Sequence, residues 1–260
     1  MSIANPIGPL FDGNDLEAVA IARIQQFEPP EGYYVAFSGG KDSVVLLDLV
    51  RRSGVKHDAH YSMTTVDPPE LVWFIRKHYP DVQMHRPERT MWQLIVDYGM
   101  PPTRIVRYCC RVLKEGGGVG RMVLTGVRWE ESARRSRRGM VELCRTGRKG
   151  NLIHPIIDWS EKDIWEHIRR HEIPYCSLYD EGFKRLGCVL CPMADKQRPL
   201  HAIRWPKIAD AYKRAFQRAI DAERPEGRKF RSGKDGQEMF DWWLYGNPEE
   251  ENEDQFSLFE

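Results

Sequence analysis

Apolar runs and polar breaks alternate along the first two thirds of the chain with two different periods. Leu16, Val19, Ala20, Ile21 and Ile24 form a helical stripe that predicts a helix ending near Glu28, ahead of the Pro29-Pro30 break. Short apolar runs at 33–37, 57–63, 82–85, 122–127 and 151–156 read as strands, and helical spacing at 70–78 and 91–98 fills intervals between them. Ser160, with Asp163 three residues on, predicts a capped helix start whose inward face carries Ile164, Trp165 and Ile168; Pro174 closes that helix. Beyond Cys191, residues 205–222 have mixed helical character. A charged loop and an aromatic patch follow, Phe240, Trp242, Trp243 and Tyr245, which is expected to pack on the core or on a neighbouring subunit. Strands alternating with helices predict an α/β fold, a mostly parallel sheet with helices on both faces, plus a helical C-terminal extension. Ligands of such sheets sit at the carboxyl ends of the strands.

One of those ends has an unusual sequence. The strand at 33–37 runs directly into Ser38-Gly39-Gly40-Lys41-Asp42-Ser43 and then into an apolar helix. Paired glycines let the backbone approach a ligand closely, so successive N–H groups can form an anion nest. The helix starting near Asp42 adds the positive end of its dipole. Ser38 and Ser43 supply hydroxyls, and Lys41 a point charge for phosphates. The turn is too short for the two-glycine Lys-Ser phosphate loop. Gly-Gly after a strand is also compatible with an ordinary tight turn.

Composition narrows the class. A chain of 260 residues suits one generous domain or a core domain with an appendage. No stretch approaches the roughly 18 consecutive apolar residues of a membrane span, and no basic-then-apolar leader opens the chain, so a cytoplasmic protein is expected. The net charge of +1 hides an uneven distribution: basic residues crowd 128–149, whereas 248–260 is rich in Glu and Asp. This predicts a local anion-binding surface, or simply a solvated face, and a disordered acidic tail. Six cysteines in such a chain argue for metal or redox chemistry over a disulfide framework. Cys109 and Cys110 are adjacent and Cys188-Val189-Leu190-Cys191 forms a Cys-x-x-Cys pair. Zinc prefers two spaced pairs, iron–sulfur clusters accept less regular spacing, and adjacent cysteines are otherwise small buried apolar residues. Cys144 and Cys176 are extra; Arg145 beside Cys144 would favour thiolate chemistry there.

Several ordered blocks together resemble the phosphoadenosine phosphosulfate (PAPS) reductase family, within the PP-loop adenine nucleotide alpha-hydrolase superfamily. Beside the Ser-Gly-Gly-x-Asp-Ser loop stand Thr65-Val66-Asp67-Pro68-Pro69-Glu70, the Cys109-Cys110 pair with Lys114, and Thr125-Gly126-Val127-Arg128-Trp129-Glu130-Glu131-Ser132. His154-Pro155-Ile156-Ile157-Asp158-Trp159-Ser160, Ile173-Pro174-Tyr175, Leu178-Tyr179-Asp180-Glu181-Gly182 and Gly187-Cys188 follow. The resemblance implies a PP-loop domain with its cysteine set at 30–195; the residue pattern adds an N-terminal helical segment at 1–29, a helical extension at 196–246 and an acidic tail at 247–260. It implies an adenine nucleotide bound by Ser38, Gly39, Gly40, Asp42, Ser43, Asp67 and Arg128, with Lys41, Asp42, Ser43, Lys114 and Arg128 in catalytic roles. It further implies a [4Fe-4S] cluster on Cys109, Cys110, Cys188 and Cys191, as in adenylyl-sulfate reductases.

Reductases of the family attack sulfur with a cysteine near the C-terminus, resolved by thioredoxin, and no cysteine follows Cys191. That departure favours the resemblance to ATP-pyrophosphatase sulfur-transfer enzymes, including those of DNA phosphorothioation, which use ATP with Mg²⁺, a nucleic-acid acceptor and a sulfur donor protein. The alternatives are a sulfonucleotide reductase using Cys144, Cys176 or a borrowed thiol, and a nucleotide-binding subunit without catalysis. Finally, Gln255-Phe256-Ser257-Leu258-Phe259 resembles the bacterial sliding-clamp-binding peptide, a short apolar anchor on a disordered tail.

Overall fold

The structure is a computed structural model that describes residues 15–143, 150–222 and 234–246. Its first elements are α1 (Leu16–Gln26), β1 (Tyr33–Ala36), α2 (Lys41–Ser53), β2 (His57–Ser62), α3 (Pro69–His78), β3 (Gln83–His85), α4 (Met91–Tyr98) and α5 (Tyr108–Leu113). Then come β4 (Met122–Leu124), β5 (Val141–Glu142), β6 (Asn151–Ile153), α6 (Glu161–Arg170), α7 (Arg198–Arg204), α8 (Pro206–Asp221) and α9 (Gly236–Tyr245). Among the described residues no helix is long and apolar enough to cross a membrane.

The chain divides into two compact units. The first, residues 1–62, 69–86 and 115–186, carries the sheet in the order β3-β2-β1-β4-β6-β5. Every pairing is parallel except β5 with β6, so the expected mostly parallel sheet is present with an antiparallel edge. β1 is central: Tyr33 and Val35 are fully buried, and Val35 is in register with Ala59 on one side and Leu124 on the other. α2 buries Val44, Val45, Leu46, Leu47, Leu49 and Val50 completely, which holds its first turn rigidly at the end of β1. Gly54, at φ +74°, closes α2 in the left-handed conformation that a residue with a Cβ avoids.

The strands are shorter than the apolar runs predict. β4 ends at Leu124: the Thr125 amide still donates to the Ile153 carbonyl at 3.0 Å, and beyond it Gly126 runs so close to α2 that a Cβ there would stand 2.9 Å from the Asp42 carbonyl oxygen. β2 ends at Ser62, and residues 63–68 that follow belong to the second unit. α4 spans the predicted residues, capped at Thr90 by a reciprocal box with Gln93 and closed by Gly99. Ser160 caps α6 with Asp163, as the sequence indicates.

The second unit, residues 63–68, 87–114 and 187–260, is helical where it is described. Its core is aromatic: Tyr212 and Phe216 of α8 meet Trp243 of α9, and Trp92 of α4 packs edge-on to Tyr212. The aromatic patch therefore splits, with Phe240 and Trp243 buried and Tyr245 exposed. Trp243 Nε1 donates to the Pro102 carbonyl at 2.6 Å.

Candidate functional site

The glycine turn forms a compact hydroxyl-lined loop. Gly39 adopts φ +72°, and a Cβ there would lie 2.8 Å from the δ-methyls of both Ile75 and Leu71, so α3 closes tightly behind the turn. Gly40 is extended (φ −77°) and caps α2 without a side-chain bond. The Ser38 amide donates to Ser43 Oγ at 3.2 Å, the Gly40 amide to Ser38 Oγ at 3.4 Å, and the Lys41 amide to Tyr179 Oη at 2.8 Å. These amides thus converge on side-chain hydroxyls, acceptors that an incoming phosphate oxygen can replace one for one. Ser43 Oγ in turn donates to the Gly40 carbonyl at 2.8 Å, which fixes the hydroxyl inside the turn. Burial holds the Tyr179 phenol well above its usual range, so it stays a neutral hydrogen-bonding group.

Two cations flank this loop. Lys41 is 6% exposed, with Nζ 3.7 Å from Asp42 Oδ2 and 3.6 Å from Glu161 Oε1. Arg128 is 3% exposed; its Nε donates to Asp42 Oδ1 at 2.7 Å and its Nη1 to Glu130 Oε2 at 3.0 Å and the Trp159 carbonyl at 3.1 Å. Burial works against the charge of Arg128, but Asp42 and Glu130 outweigh it and hold the guanidinium above its ordinary range. Ser38, Gly39, Gly40, Lys41, Asp42, Ser43 and Arg128 are therefore brought together in the first unit. Tyr179, Glu130 and Glu161 join them, three residues to which sequence reasoning assigned no role; the signal for Tyr179 and Glu130 was their place inside the recurrent blocks.

The remaining predicted residues gather in the second unit. Cys109 and Cys110 occupy the first turn of α5, and Lys114 is its C-cap. Cys188 and Cys191 lie on a loop whose middle residues, Val189 and Leu190, are fully buried. That loop is anchored by Val189 N to the Val66 carbonyl (2.8 Å), Leu190 N to His201 Nδ1 (3.0 Å) and Tyr212 Oη to the Val189 carbonyl (3.4 Å). Asp67 accepts from the Thr64 amide at 2.6 Å and from Thr64 Oγ1 at 2.7 Å, and Thr64 Oγ1 accepts from the Cys188 thiol at 3.4 Å. Asp67 thus braces the segment that supports the Cys-x-x-Cys loop.

The cysteine electrostatics are collective. The mutual hydrogen bond of Cys109 and Cys110 raises the Cys109 thiol and brings Cys110 down to about 5, against burial, with Arg107 Nη2 3.5 Å from the Cys110 sulfur. Burial and then Cys188 push the Cys191 thiol up. Lys114 keeps solvent contact, and its ammonium is raised first by Cys188, against the cost of burial, and then by Asp67. Among the described residues, no three cysteine sulfurs lie within 4.8 Å of one another.

Cys176 is 1% exposed and burial pushes its thiol up, which makes it an inert core residue instead of a nucleophile. Cys144 and the peptide Gln255-Phe256-Ser257-Leu258-Phe259 lie outside the described residues. The basic run is largely neutralised where it is described: besides Arg128, Arg135 pairs with Glu131 and Arg138 with Glu142. Arg134 and Arg137 are exposed.

A parallel sheet with a glycine loop at the end of its central strand, flanked by a buried lysine and arginine, defines a phosphate-binding α/β protein. The phosphoadenosine phosphosulfate reductase domain matches residues 32–194, and the chain belongs to that family. It is 26% identical over 167 residues to the adenosine 5′-phosphosulfate reductase of Oceanobacillus iheyensis, a match covering 60% of this chain and 69% of that protein. The enzyme of the same name from Allochromatium vinosum is 28% identical over 196 residues, 68% of this chain and 75% of the relative. An uncharacterised protein of Methanocaldococcus jannaschii is 30% identical over 171 residues, 61% of this chain, and the chain spans only 35% of that relative's length. The PAPS reductase of Candida auris, solved as a phosphate complex, shares the fold with a TM-score of 0.52 at 18% identity, covering 65% of this chain and 87% of the other.

Proposed function

We propose that the protein is a PP-loop enzyme that binds ATP with Mg²⁺ and cleaves it between the α and β phosphates, adenylating an acceptor oxygen that sulfur then replaces. The charge count around the loop carries this reading: two cations, Lys41 and Arg128, face three carboxylates, Asp42, Glu130 and Glu161. A polyanion entering such a site needs a divalent ion to offset the excess negative charge, and ATP arrives with one. In this scheme the amides of Ser38, Gly40 and Lys41 hold the departing pyrophosphate, and the buried Arg128 guanidinium, held by Asp42, Glu130 and the Trp159 carbonyl, positions Asp42 and adds positive charge beside it. Asp42 orients the Mg²⁺ that comes with the substrate, while Ser43 keeps the turn closed.

Cys109, Cys110, Cys188 and Cys191 suit a [4Fe-4S] cluster. An adjacent pair with a distant Cys-x-x-Cys gives the irregular spacing that such clusters accept, and Arg107 Nη2 and the Thr64 hydroxyl lie against the sulfurs of Cys110 and Cys188. Bound there, a cluster would supply sulfur-handling and redox chemistry. Residues 30–195 are then the catalytic portion. Nucleic acid is the proposed acceptor, DNA first, and the tail peptide the proposed contact with a sliding clamp.

The names of the reductase relatives favour a second reading, sulfite release from adenylyl sulfate or PAPS. Its thiol would have to be Cys144 or one from a partner such as thioredoxin, since Cys176 is buried. Anaerobic protein incubated with ATP and Mg²⁺, and separately with adenylyl sulfate or PAPS plus thioredoxin, separates the two. Pyrophosphate from ATP supports the first reading; sulfite without pyrophosphate replaces it with the second.

A further inference from the structure

We propose that Glu17, His167 and His171 form a binding site for a divalent cation of the zinc class, built from residues outside both the phosphate loop and the cysteine set. Glu17 Oε1 lies 3.0 Å from His167 Nδ1 and 2.8 Å from His171 Nε2, and the three ligand atoms all fall within 4.8 Å of one another. Ligands about 2.0–2.1 Å from a tetrahedral ion stand roughly 3.3 Å from each other. Glu17 Oε1 therefore needs to part from each imidazole nitrogen by only a few tenths of an ångström to admit one. The sequence explains the convergence: His167 and His171 are one helical turn apart at the end of α6, so they share a face, and Glu17 reaches them from the first turn of α1.

The surroundings are those of a ligand set. His167 Nε2 faces Asp48 Oδ2 at 2.9 Å. A proton on that nitrogen fixes the tautomer and leaves Nδ1 as the lone-pair donor, the carboxylate–histidine–metal relay that steadies zinc ligands. Asp48 is itself held by Arg52 Nε at 2.6 Å. The side chain of His167 is 1% exposed and packs edge-on to Trp159, so its ring cannot reorient freely. Glu17 at 21% and His171 at 18% leave a solvent-facing side for a water ligand. Arg170 Nη1, 3.1 Å from Glu17 Oε1, is the competing cation; at 66% exposed it is free to swing out. On loading, His167 Nδ1 and His171 Nε2 present lone pairs to the ion in place of their present contacts with Glu17 Oε1.

Such an ion would tie α1 to α6 with α2 behind them. α2 and α6 begin at Lys41 and Glu161 of the phosphate loop region, and Asp48 lies about 9 Å along α2 from Asp42, so the ion acts as a structural clamp on the helices that frame the loop. The test is Zn²⁺ titration of the full chain by calorimetry, with bound metal counted after gel filtration. His171→Ala should lose one zinc equivalent that Cys188→Ser keeps, and Asp48→Asn should bind it about 10–100-fold more weakly. Co²⁺ at the site should give the weak visible bands of nitrogen and oxygen ligands, without the intense sulfur charge transfer of a cysteine site. Glu17→Gln, at a half-exposed helix position, repeats the test should His171→Ala not fold. Equal zinc stoichiometry and affinity in wild type, His171→Ala and Glu17→Gln overturns the proposal.

Discussion

Gly39 and Gly40 are neighbours with the same side chain, yet the structure assigns them different penalties for an added methyl. At Gly39 an alanine must hold φ near +72° and place its Cβ 2.8 Å from Leu71 Cδ1 and 2.8 Å from Ile75 Cδ1. The left-handed backbone costs about 1–2 kcal/mol and overpacking against α3 a further ~1–3 kcal/mol. Gly39→Ala is therefore expected to destabilise the protein by about 2–5 kcal/mol, a fall in melting temperature of about 5–15 °C for a chain of this size. At Gly40, φ is −77°, and a Cβ would meet only Tyr179 Oη at 3.4 Å and Ser38 Oγ at 3.5 Å. The loss of a glycine N-cap costs about 1 kcal/mol or less, but the methyl projects into the space that phosphate oxygens need. Gly40→Ala should thus melt within a few degrees of wild type while ATP-dependent pyrophosphate release falls by about 10²–10³-fold. Thermal melts and calorimetric titration with ATP and Mg²⁺ measure both. Equal melting temperatures for the two variants would refute the packing argument, and normal turnover by Gly40→Ala would refute the phosphate loop.

Arg128→Lys should lose about as much turnover as Arg128→Ala, on the order of 10²–10³-fold, because an ammonium cannot bridge Asp42, Glu130 and the Trp159 carbonyl together; single-turnover rates recovering to near wild type in the lysine variant would contradict this. His154 and His201 are fully or nearly buried and burial lowers both to about 4 from 6.5. The unfolded chain therefore binds protons that the native chain does not as pH falls from 6.5 toward 4, so stability is lost across that window by up to about 1.4 kcal/mol per pH unit for each histidine. A urea midpoint that stays flat between pH 7 and 5 would refute it. Cys188→Ser should bleach the brown colour of anaerobically purified protein, whereas a colourless wild type holding zinc at the four cysteines would defeat the cluster assignment.

The parts of the fold that could be read in advance are those where a local pattern and a tertiary demand agree. α4 runs over its predicted residues because Thr90, Gln93 and Gly99 mark its ends chemically, and Ser160 and Asp163 do the same for the start of α6. α5 was not foreseen. Its six residues, Tyr108-Cys109-Cys110-Arg111-Val112-Leu113, are too few to show a helical period, and what holds them is burial of Tyr108 and Leu113. β5 was missed for a related reason, since two residues that pair antiparallel with β6 leave no alternation to detect. Nor could an apolar count have stopped β4 at Leu124, because what ends it is the close approach of Gly126 to the Asp42 backbone.

The same distinction separates the visible half of the site from the hidden half. Ser38, Gly39, Gly40, Lys41, Asp42 and Ser43 are contiguous, so their donors announce an anion site without any knowledge of the fold. The carboxylates that qualify that site come from elsewhere: Glu130, on the segment after β4, is joined to the loop through Arg128, which is 86 residues from its partner Asp42, and Glu161, at the start of α6, through Lys41. Counting only the contiguous motif makes the loop a cationic cradle suited equally to a sulfonucleotide or a triphosphate. With the distant carboxylates included, acidic groups outnumber basic ones, and the anion that binds must bring its own positive charge. On the proposed reading, a preference for a magnesium-chelated nucleotide would be a property of the assembled fold: removing Glu130 or Glu161 as glutamine should lower the Mg²⁺ requirement for nucleotide binding, whereas an unchanged Mg²⁺ dependence would place the metal's role outside this ring of charge.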